Sequence, residues 1–314
     1  MPAERSKRER DTPPILLCRN EIRRVVARNS RIAANGDIGN ELASKRLWPV
    51  ACSRSTNAQS RTGEVLTFGT ETEMYTAQIL SRRLFTMSEL SIEHRDSAWS
   101  STAEYDERVR VEWQKFLHQT KTRVWDGTYY RVLNPRVFDE EKGAGPILLG
   151  TIAYRYVATF PSLSQDHTRF ALDPLNHLST VGLIRTRDNL YVFGVRNRNG
   201  AVDLIGGGVQ SDEIEIQSGA DLERNLHKEI LEETGLNYED IENLVGIGTV
   251  VSSTSNVLIV GHAQLKMTSA EVKSRFEQRA EHEMERLIFV ADENVREFLM
   301  QMSDYRNLLV QLDW

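Results

Sequence analysis

Residues 228–236 read KEILEETGL, and an apolar segment upstream runs into three glycines at 206–208. The first stretch belongs to a predicted helix over 221–234, which Gly235 ends because glycine readily adopts the left-handed backbone of a helix C-terminus. The strand candidate 202–205 leads straight into the glycines, whose backbone can approach a ligand closely and offer a carbonyl to a metal. A strand, a glycine turn and a carboxylate-rich helix therefore follow one another.

The carboxylates of this helix lie where a surface helix would place core residues. At 3.6 residues per turn, Glu229 and Glu233 fall within about 20° of Leu222 in the apolar stripe, and Glu232 flanks it. Converging carboxylates repel one another and are costly to desolvate, unless a hard divalent cation lies among them. Oxygen ligands favour Mg²⁺ or Mn²⁺, which can polarise a phosphoryl oxygen and activate water. The alternative is a solvated helix face on which Lys228 pairs with Glu232.

This stretch resembles the signature of the Nudix hydrolase superfamily. That signature reads Gly, five residues, Glu, seven residues, Arg-Glu-U-x-Glu-Glu-x-Gly-U, where U is aliphatic. Lys228 stands at the position of the Arg. Six residues match the second half of the signature: Glu229, Ile230, Glu232, Glu233, Gly235 and Leu236.

The first half of the signature fits less well. Gly207 and Glu213 have the required spacing, but the helix then begins about seven residues late. Counting back from Lys228 instead places Ala220 at the position of the signature Glu. The loop 209–219 is therefore expected to be expanded, and one carboxylate of the family is missing or relocated.

The resemblance implies an α/β/α sandwich with a mixed sheet, and metal-dependent attack of water on a diphosphate linked to another moiety. By similarity, Glu232 and Glu233 would be metal ligands, joined by a carbonyl of Gly207 or Gly208. Glu229 would act as ligand or base. Lys228 would take the place of the Arg that orients a carboxylate, and it is also a candidate for substrate binding. Lys is a flexible point charge and Arg a planar fork, so this exchange is not neutral.

A looser similarity over about residues 110–300 is to Nudix-type UDP-sugar diphosphatases, for which the products would be UMP and a sugar 1-phosphate. Under it, Glu283 matches a late acid that would serve as base or ligand, although a plain surface acid is equally compatible. Arg187 and Arg196, at hairpin ends, are candidates for phosphate binding, against a solvated surface role. Tyr154 is a candidate to stack on a base, against simple core packing.

Composition limits the function classes. The chain has 314 residues, a formal net charge of −6 and two cysteines, Cys18 and Cys52, which excludes a disulfide scaffold and a Cys-rich zinc site and suits the cytoplasm. No stretch approaches the roughly 18 apolar residues of a membrane span. Residues 1–62 hold 13 Lys and Arg against 6 Asp and Glu, so this basic arm admits nucleic-acid contact, although a solvated extension is favoured.

The expected organisation is a basic arm (1–62), an N-terminal α+β region (63–172) packed on the core, and a Nudix domain (173–314). ADP-ribose or another nucleotide as substrate, and a nucleotide-binding sensor with little catalysis, remain alternatives, and the oligomeric state is open. Periodicity predicts further helices over 71–83, 102–119 (capped by Thr102), 269–279 and 294–302. It predicts further strands over 128–133, 147–158, 178–184, 189–195, 244–251, 256–265 and 287–290.

Overall fold

The computed structural model of the chain describes residues 76–120, 124–138, 145–197, 199–280 and 283–314. The basic arm, with both cysteines and the predicted nucleic-acid contact, lies outside the described residues. Five α-helices are described: α1 Ala103–Gln119, α2 Tyr154–Arg169, α3 Gly219–Thr234, α4 Ser269–Gln278 and α5 Asp292–Met300. The strands are β1 Gln78–Ser81, β2 Ile92–Ala98, β3 Thr128–Val132, β4 Ile147–Ala153, β5 His177–Arg185, β6 Leu190–Arg196, β7 Val202–Asp203, β8 Ile205–Gly208, β9 Ile241–Val251, β10 Asn256–Leu265 and β11 Met284–Ala291.

All eleven strands belong to one mixed sheet. Its main path runs β1-β9-β10-β5-β3-β4-β2, and β8 and β6 also pair with β5, while β7 and β11 pair with β6. The pairs β5–β10 and β2–β4 are parallel, and the other pairs are antiparallel. β5 is buried along almost its whole length, as expected for a central strand covered on both faces.

Helices cover both faces of this sheet. Successive side chains of a strand point to opposite faces, and on β5 Leu178 and Leu183 accordingly belong to different apolar cores. The core around Leu178 contains Leu222, Leu226 and Ile230 of α3. The core around Leu183 contains Phe298 and Leu299 of α5 and part of the C-terminal 3-10 helix Asp304–Gln311. The predicted mixed α/β/α arrangement is therefore confirmed.

The described part of the region 63–172 extends the same sheet. β1 pairs with β9, and β3 joins β4 to β5. α1 and α2 pack together around buried Tyr105 and Phe160. None of the described helices has the length and apolar character that crossing a membrane requires.

Two sequence predictions are wrong in part. The helix predicted over 71–83 is contradicted where residues are described, since Gln78–Ser81 is a strand paired with β9; that tertiary pairing outweighs a weak helical pattern. The strand predicted over 147–158 ends at Ala153, where α2 begins. Pro161 inside α2 and the polar sequence of β2 explain why these two elements gave no clear signal.

The other predicted elements are confirmed within a few residues at their ends. The cap of α1 forms as expected, because the hydroxyl of Thr102 accepts a hydrogen bond from the Tyr105 amide at 3.2 Å. Gly235 ends α3 with φ 78°. These agreements follow from caps and periodicity, which act over a few residues of local sequence.

The three glycines that the sequence predicts as a turn lie instead in strand β8, paired with β5, and Gly206 is the tightest backbone position among them. Its φ is 144°, and a Cβ there would overlap the carbonyl oxygen of Thr180 on β5. We expect Gly206→Ala to lower the free energy of unfolding by about 2 kcal/mol, because both strain and overlap must be relieved. Urea unfolding measures it. Gly145→Ala is the control, since its nearest neighbour would be at an ordinary 3.9 Å, and an equal loss in both variants would contradict the expectation.

Candidate functional site

A polar cleft of about 670 Å³ opens where β8 lies between β5 and α3. It contains the glycines of β8 and every acid of the predicted site. Its lining includes Tyr129, Tyr154, Val157, His177, Ser179, Val181, Arg196, Asp203, Gly206, Gly207, Gly208, Gln210, Glu213, Lys228, Glu229, Glu232, Glu233, Ser252, Thr254, Asn256, Leu258, Glu283, Asp304, Tyr305 and Arg306.

Local sequence places α3 against this cleft. Ser218 and Asp221 form a capping box that starts the helix, satisfying backbone amides that would otherwise lack partners. The side chain of Asn225 donates to the Thr180 hydroxyl at 2.9 Å, which docks the helix on β5. The face that carries Glu229 and Glu233 is thereby turned toward β8.

Glu229 and Glu233 are held directly against the glycine backbone. The Gly206 amide donates to Glu233 Oε2 at 2.8 Å. A Cβ on Gly207 would overlap the carboxylate of Glu229, so a larger residue there would displace that carboxylate from its present position. The helical-wheel argument, which placed both acids beside the apolar stripe, agrees with their burial, since only 9% of Glu229 and 2% of Glu233 is exposed.

Burial is the main electrostatic influence on these two acids. It raises the pKa of Glu229 to about 7, with Lys228 acting in the opposite direction. It raises the pKa of Glu233 to about 9, against the lowering effects of Arg196 and the Gly206 amide. Strongly perturbed carboxyl groups facing a cleft are typical of functional sites, because a fold gains no stability from burying them unpaired.

Lys228 gathers three carboxylates at the mouth of the cleft. Its Nζ lies 2.7 Å from Glu213, 3.1 Å from Glu232 and 3.6 Å from Glu229. Partial burial alone would lower the pKa of Lys228, but contact with these acids raises it above its usual value. Glu213, which has the signature spacing from Gly207, therefore reaches Lys228 despite the expanded loop. Ala220, the alternative position for the signature Glu, is exposed in the first turn of α3.

Arg196 connects the acids on the opposite side. It bonds Asp203 through Nε at 3.1 Å, lies 3.5 Å from Glu233 Oε1, contacts Glu283 and reaches the carbonyl of Gly206 at 3.3 Å. Arg196 was predicted to bind substrate phosphate. In the structure its guanidinium lines the cleft, but it is already paired with the carboxylates of Asp203, Glu233 and Glu283.

Tyr154 and Arg187, the two remaining predicted substrate residues, lie in different places. Tyr154 lines the cleft and stacks on Tyr129, with ring centroids 5.2 Å apart. Arg187 is not among the residues that line the cleft, and its guanidinium lies 3.6 Å from Glu271. Arg187 therefore lies apart from the acids of the cleft.

The donor set suits a hard divalent cation, although the side chains are not drawn together as ligands. In the described part of the chain, no three His, Cys, Asp or Glu side chains are close enough to hold a metal ion. The oxygens of Glu229, Glu232 and Glu233 and the nearby glycine carbonyls are nevertheless ligands that Mg²⁺ prefers. Glu233 Oε1 is buried and accepts no hydrogen bond, which leaves it available to a cation.

Sequence reasoning missed the polar residues that complete the cleft. Asp203 bonds both Arg196 and Arg306, and Tyr305 donates to it at 3.0 Å. An acid inside the short apolar run at 202–205 was the one available signal for Asp203. No local pattern marks Arg306, because it reaches the cleft from the C-terminal 3-10 helix.

His177 is buried at the other end of the cleft, and burial lowers its pKa to about 3. The folded protein therefore holds it neutral, while the unfolded chain binds a proton below about pH 6.5. We expect wild-type stability to fall on acidification, and His177→Gln to remove about 1 kcal/mol of the loss between about pH 7.5 and about pH 5.5. Urea unfolding at both pH values measures this. Exposed His118→Gln is the control, and identical pH dependence in wild type and His177→Gln would contradict the expectation.

Comparison with known proteins shows similarity in structure only. No protein-family profile matches the chain, and no curated protein sequence matches it. A NUDIX family hydrolase from Clostridium perfringens is 16% identical over 40% of this chain and 87% of its own, with a TM-score of 0.28. A MutT protein from Methanosarcina mazei Go1 is 20% identical over 40% of this chain and 82% of its own, with a TM-score of 0.26.

A third similar structure is the NUDIX domain of NrtR from Shewanella oneidensis, complexed with ADP ribose. It is 17% identical over 43% of this chain and 84% of its own, with a TM-score of 0.30. Two of these three structures, those from Clostridium perfringens and Shewanella oneidensis, are NUDIX proteins.

Proposed function

We propose that this chain is a metal-dependent Nudix-type hydrolase of a nucleoside diphosphate linked to another moiety. The observation that carries the proposal is the burial of Glu229 and Glu233 against the backbone of Gly206 and Gly207, at the wall of an open polar cleft. Two acids so placed cost stability unless a charged ligand uses them. The signature around Lys228 supports the same assignment.

The acidic residues of the cleft would have two roles, which are binding the cation and accepting a proton from water. Glu232 and Glu233, with a carbonyl of Gly207 or Gly208, would hold Mg²⁺ or Mn²⁺. When bound, the cation would offset charge on the phosphoryl oxygens and lower the pKa of water. Glu229, whose carboxylate lies against Gly207, would accept the proton of the attacking water. Exposed Glu283 is the other candidate base.

The chain's own cations keep these acids in place. Lys228 bridges Glu213 and Glu232, and Arg196 lies beside Glu233. Such fixed partners hold catalytic carboxylates in one geometry before substrate arrives. The cleft also presents tyrosine rings and uncharged polar side chains to a substrate.

A UDP-sugar is the substrate we favour, with UMP and a sugar 1-phosphate as products. The looser similarity over about residues 110–300 supports this choice. ADP-ribose and other nucleotide diphosphates are the alternatives. The test is to incubate purified protein with UDP-glucose, UDP-galactose, ADP-ribose and dinucleotide polyphosphates, in the presence of Mg²⁺ or of EDTA. It measures both which substrate is cleaved and whether cleavage needs the cation. Cleavage that requires the cation is expected, and no turnover of any diphosphate by folded protein would refute the proposal.

One observation favours a second candidate, a nucleotide-binding sensor with little catalysis. The Lys228 ammonium lies among Glu213, Glu229 and Glu232, where it partly neutralises the acids that a cation would use. A lysine also lacks the fork with which arginine fixes a carboxylate. Calorimetric titration separates the candidates, because tight nucleotide binding without turnover would identify a sensor.

A further inference from the structure

The end of the cleft away from the acids of α3 is lined mainly by uncharged polar side chains, and Asp304 lies beside them, where its carboxylate accepts the Ser253 amide at 2.7 Å. Five side chains form what we call the neutral end, on β5, on β10 and in the turn between β9 and β10. They are His177, Ser179, Ser252, Thr254 and Asn256. Val181 and Leu258 add apolar surface beside them. A flat ring with polar edges and apolar faces fits such a lining better than a phosphate does.

Two neighbouring side chains of the neutral end carry buried polar atoms without partners. His177 and Asn256 are register partners in the parallel pair of β5 and β10, so both lie on the cleft face. His177 Nδ1 and Asn256 Oδ1 are buried and make no hydrogen bond within the described structure, and only 7% of His177 is exposed. Buried polar atoms are almost always satisfied, so this pair points to a ligand that supplies the missing partners.

The backbone holds Asn256 in a fixed position. Its amide donates to Ser252 Oγ at 3.1 Å, and its carbonyl accepts from the Ser252 amide at 2.9 Å. The turn is further closed by Ser255, whose hydroxyl donates to Asn176 at 3.2 Å. The Asn256 side chain is thus presented to the cleft by a rigid element, as recognition residues usually are.

The distance from the acids matches one nucleoside. Gly207 lies opposite Thr180 on β5, and His177 is three residues before Thr180 on that strand. At about 3.3 Å per residue, the neutral end lies about 10 Å along β5 from the glycines of β8. That length leaves room for a ribose between a diphosphate at the acids and a base at the neutral end.

We propose that Asn256 and His177 recognise the nucleobase of the substrate. This inference rests on the proposed nucleotide hydrolysis. The side-chain oxygen of Asn256 accepts an N–H of the base, and its side-chain NH₂ donates to the ring nitrogen or carbonyl beside it. His177 forms a hydrogen bond with a second polar atom of the base. Because His177 is neutral when folded, it supplies one hydrogen bond and no charge for a phosphate.

Binding of nucleoside monophosphates tests base recognition without turnover, because they contain no diphosphate bond. We would titrate UMP, AMP, GMP and CMP with Mg²⁺ into wild type, Asn256→Ala, Asn256→Asp and Ser253→Ala. Wild type is expected to prefer one base by about tenfold, and Asn256→Ala to lose that preference. Asn256→Asp is expected to shift preference toward GMP, since a carboxylate accepts both N1–H and N2–H of guanine. Ser253 is outside the cleft lining, so Ser253→Ala should behave as wild type.

Several results would overturn base recognition. One is a base preference kept by Asn256→Ala in folded protein, and another is an absence of binding by any nucleoside monophosphate. The third comes from a parallel titration with glucose 1-phosphate: if Asn256→Ala weakens only the binding of that ligand, the neutral end belongs to the other moiety. The diphosphate panel, run on the same variants, separates this inference from the proposed function. Asn256-dependent base preference without hydrolysis would refute the hydrolase alone. Hydrolysis that is indifferent to base and to Asn256 would refute base recognition alone.

Discussion

Glu233→Gln is expected to lower kcat by about 100-fold or more while the protein stays folded. Glutamine keeps an oxygen that can accept the Gly206 amide, now at 2.8 Å from Glu233 Oε2. It removes the negative charge that a cation needs and leaves an amide beside Arg196. Steady-state turnover of whichever diphosphate the wild type cleaves measures the effect, and circular dichroism with thermal unfolding checks the fold.

Glu223→Gln is the matched control for Glu233→Gln. Glu223 lies on the same helix, 3.7 Å from His227, and does not line the cleft. It undergoes the same chemical change without touching the proposed site, so its turnover should equal that of the wild type. Wild-type rates from Glu233→Gln would mean that the carboxylates of α3 do not take part in catalysis.

Asp203→Asn is expected to have the largest effect on stability. Burial alone would raise the pKa of Asp203, but Arg306 and Arg196 hold it well below its usual range. Removing the charge leaves both guanidinium groups without their shared, buried carboxylate. Breaking a buried ion pair in this way costs about 3 kcal/mol. Urea unfolding at neutral pH measures the loss in free energy of unfolding.

Asp313→Asn is the control for Asp203→Asn, because Asp313 is exposed near the C-terminus. Exposed substitutions of this kind change stability by about 0.5 kcal/mol or less. If Asp203→Asn were equally mild, the network of Asp203, Arg196 and Arg306 would not be needed for the fold. If it were destabilising and also lowered turnover, the positioning role of Arg196 toward Glu233 would be supported.

The sequence determined the acidic half of the site. Helical periodicity places Glu229 and Glu233 beside an apolar stripe, and the glycine run lies just before the loop that leads into the helix, so both sides of the contact were visible locally. The capping of α1 by Thr102 and the end of α3 at Gly235 were visible for the same reason. Each of these features depends on residues a few positions apart.

Only the tertiary structure decided the remainder of the cleft. Asn256 and His177 become neighbours through parallel pairing of strands distant in the chain, and Arg306 joins Asp203 from the last 3-10 helix. Gln78–Ser81 became a strand because an edge of β9 was available. Periodicity reports which face of an element is buried, but strand partners are chosen by packing between distant segments, so a single sequence could reveal the charged end of this cleft and not the neutral one.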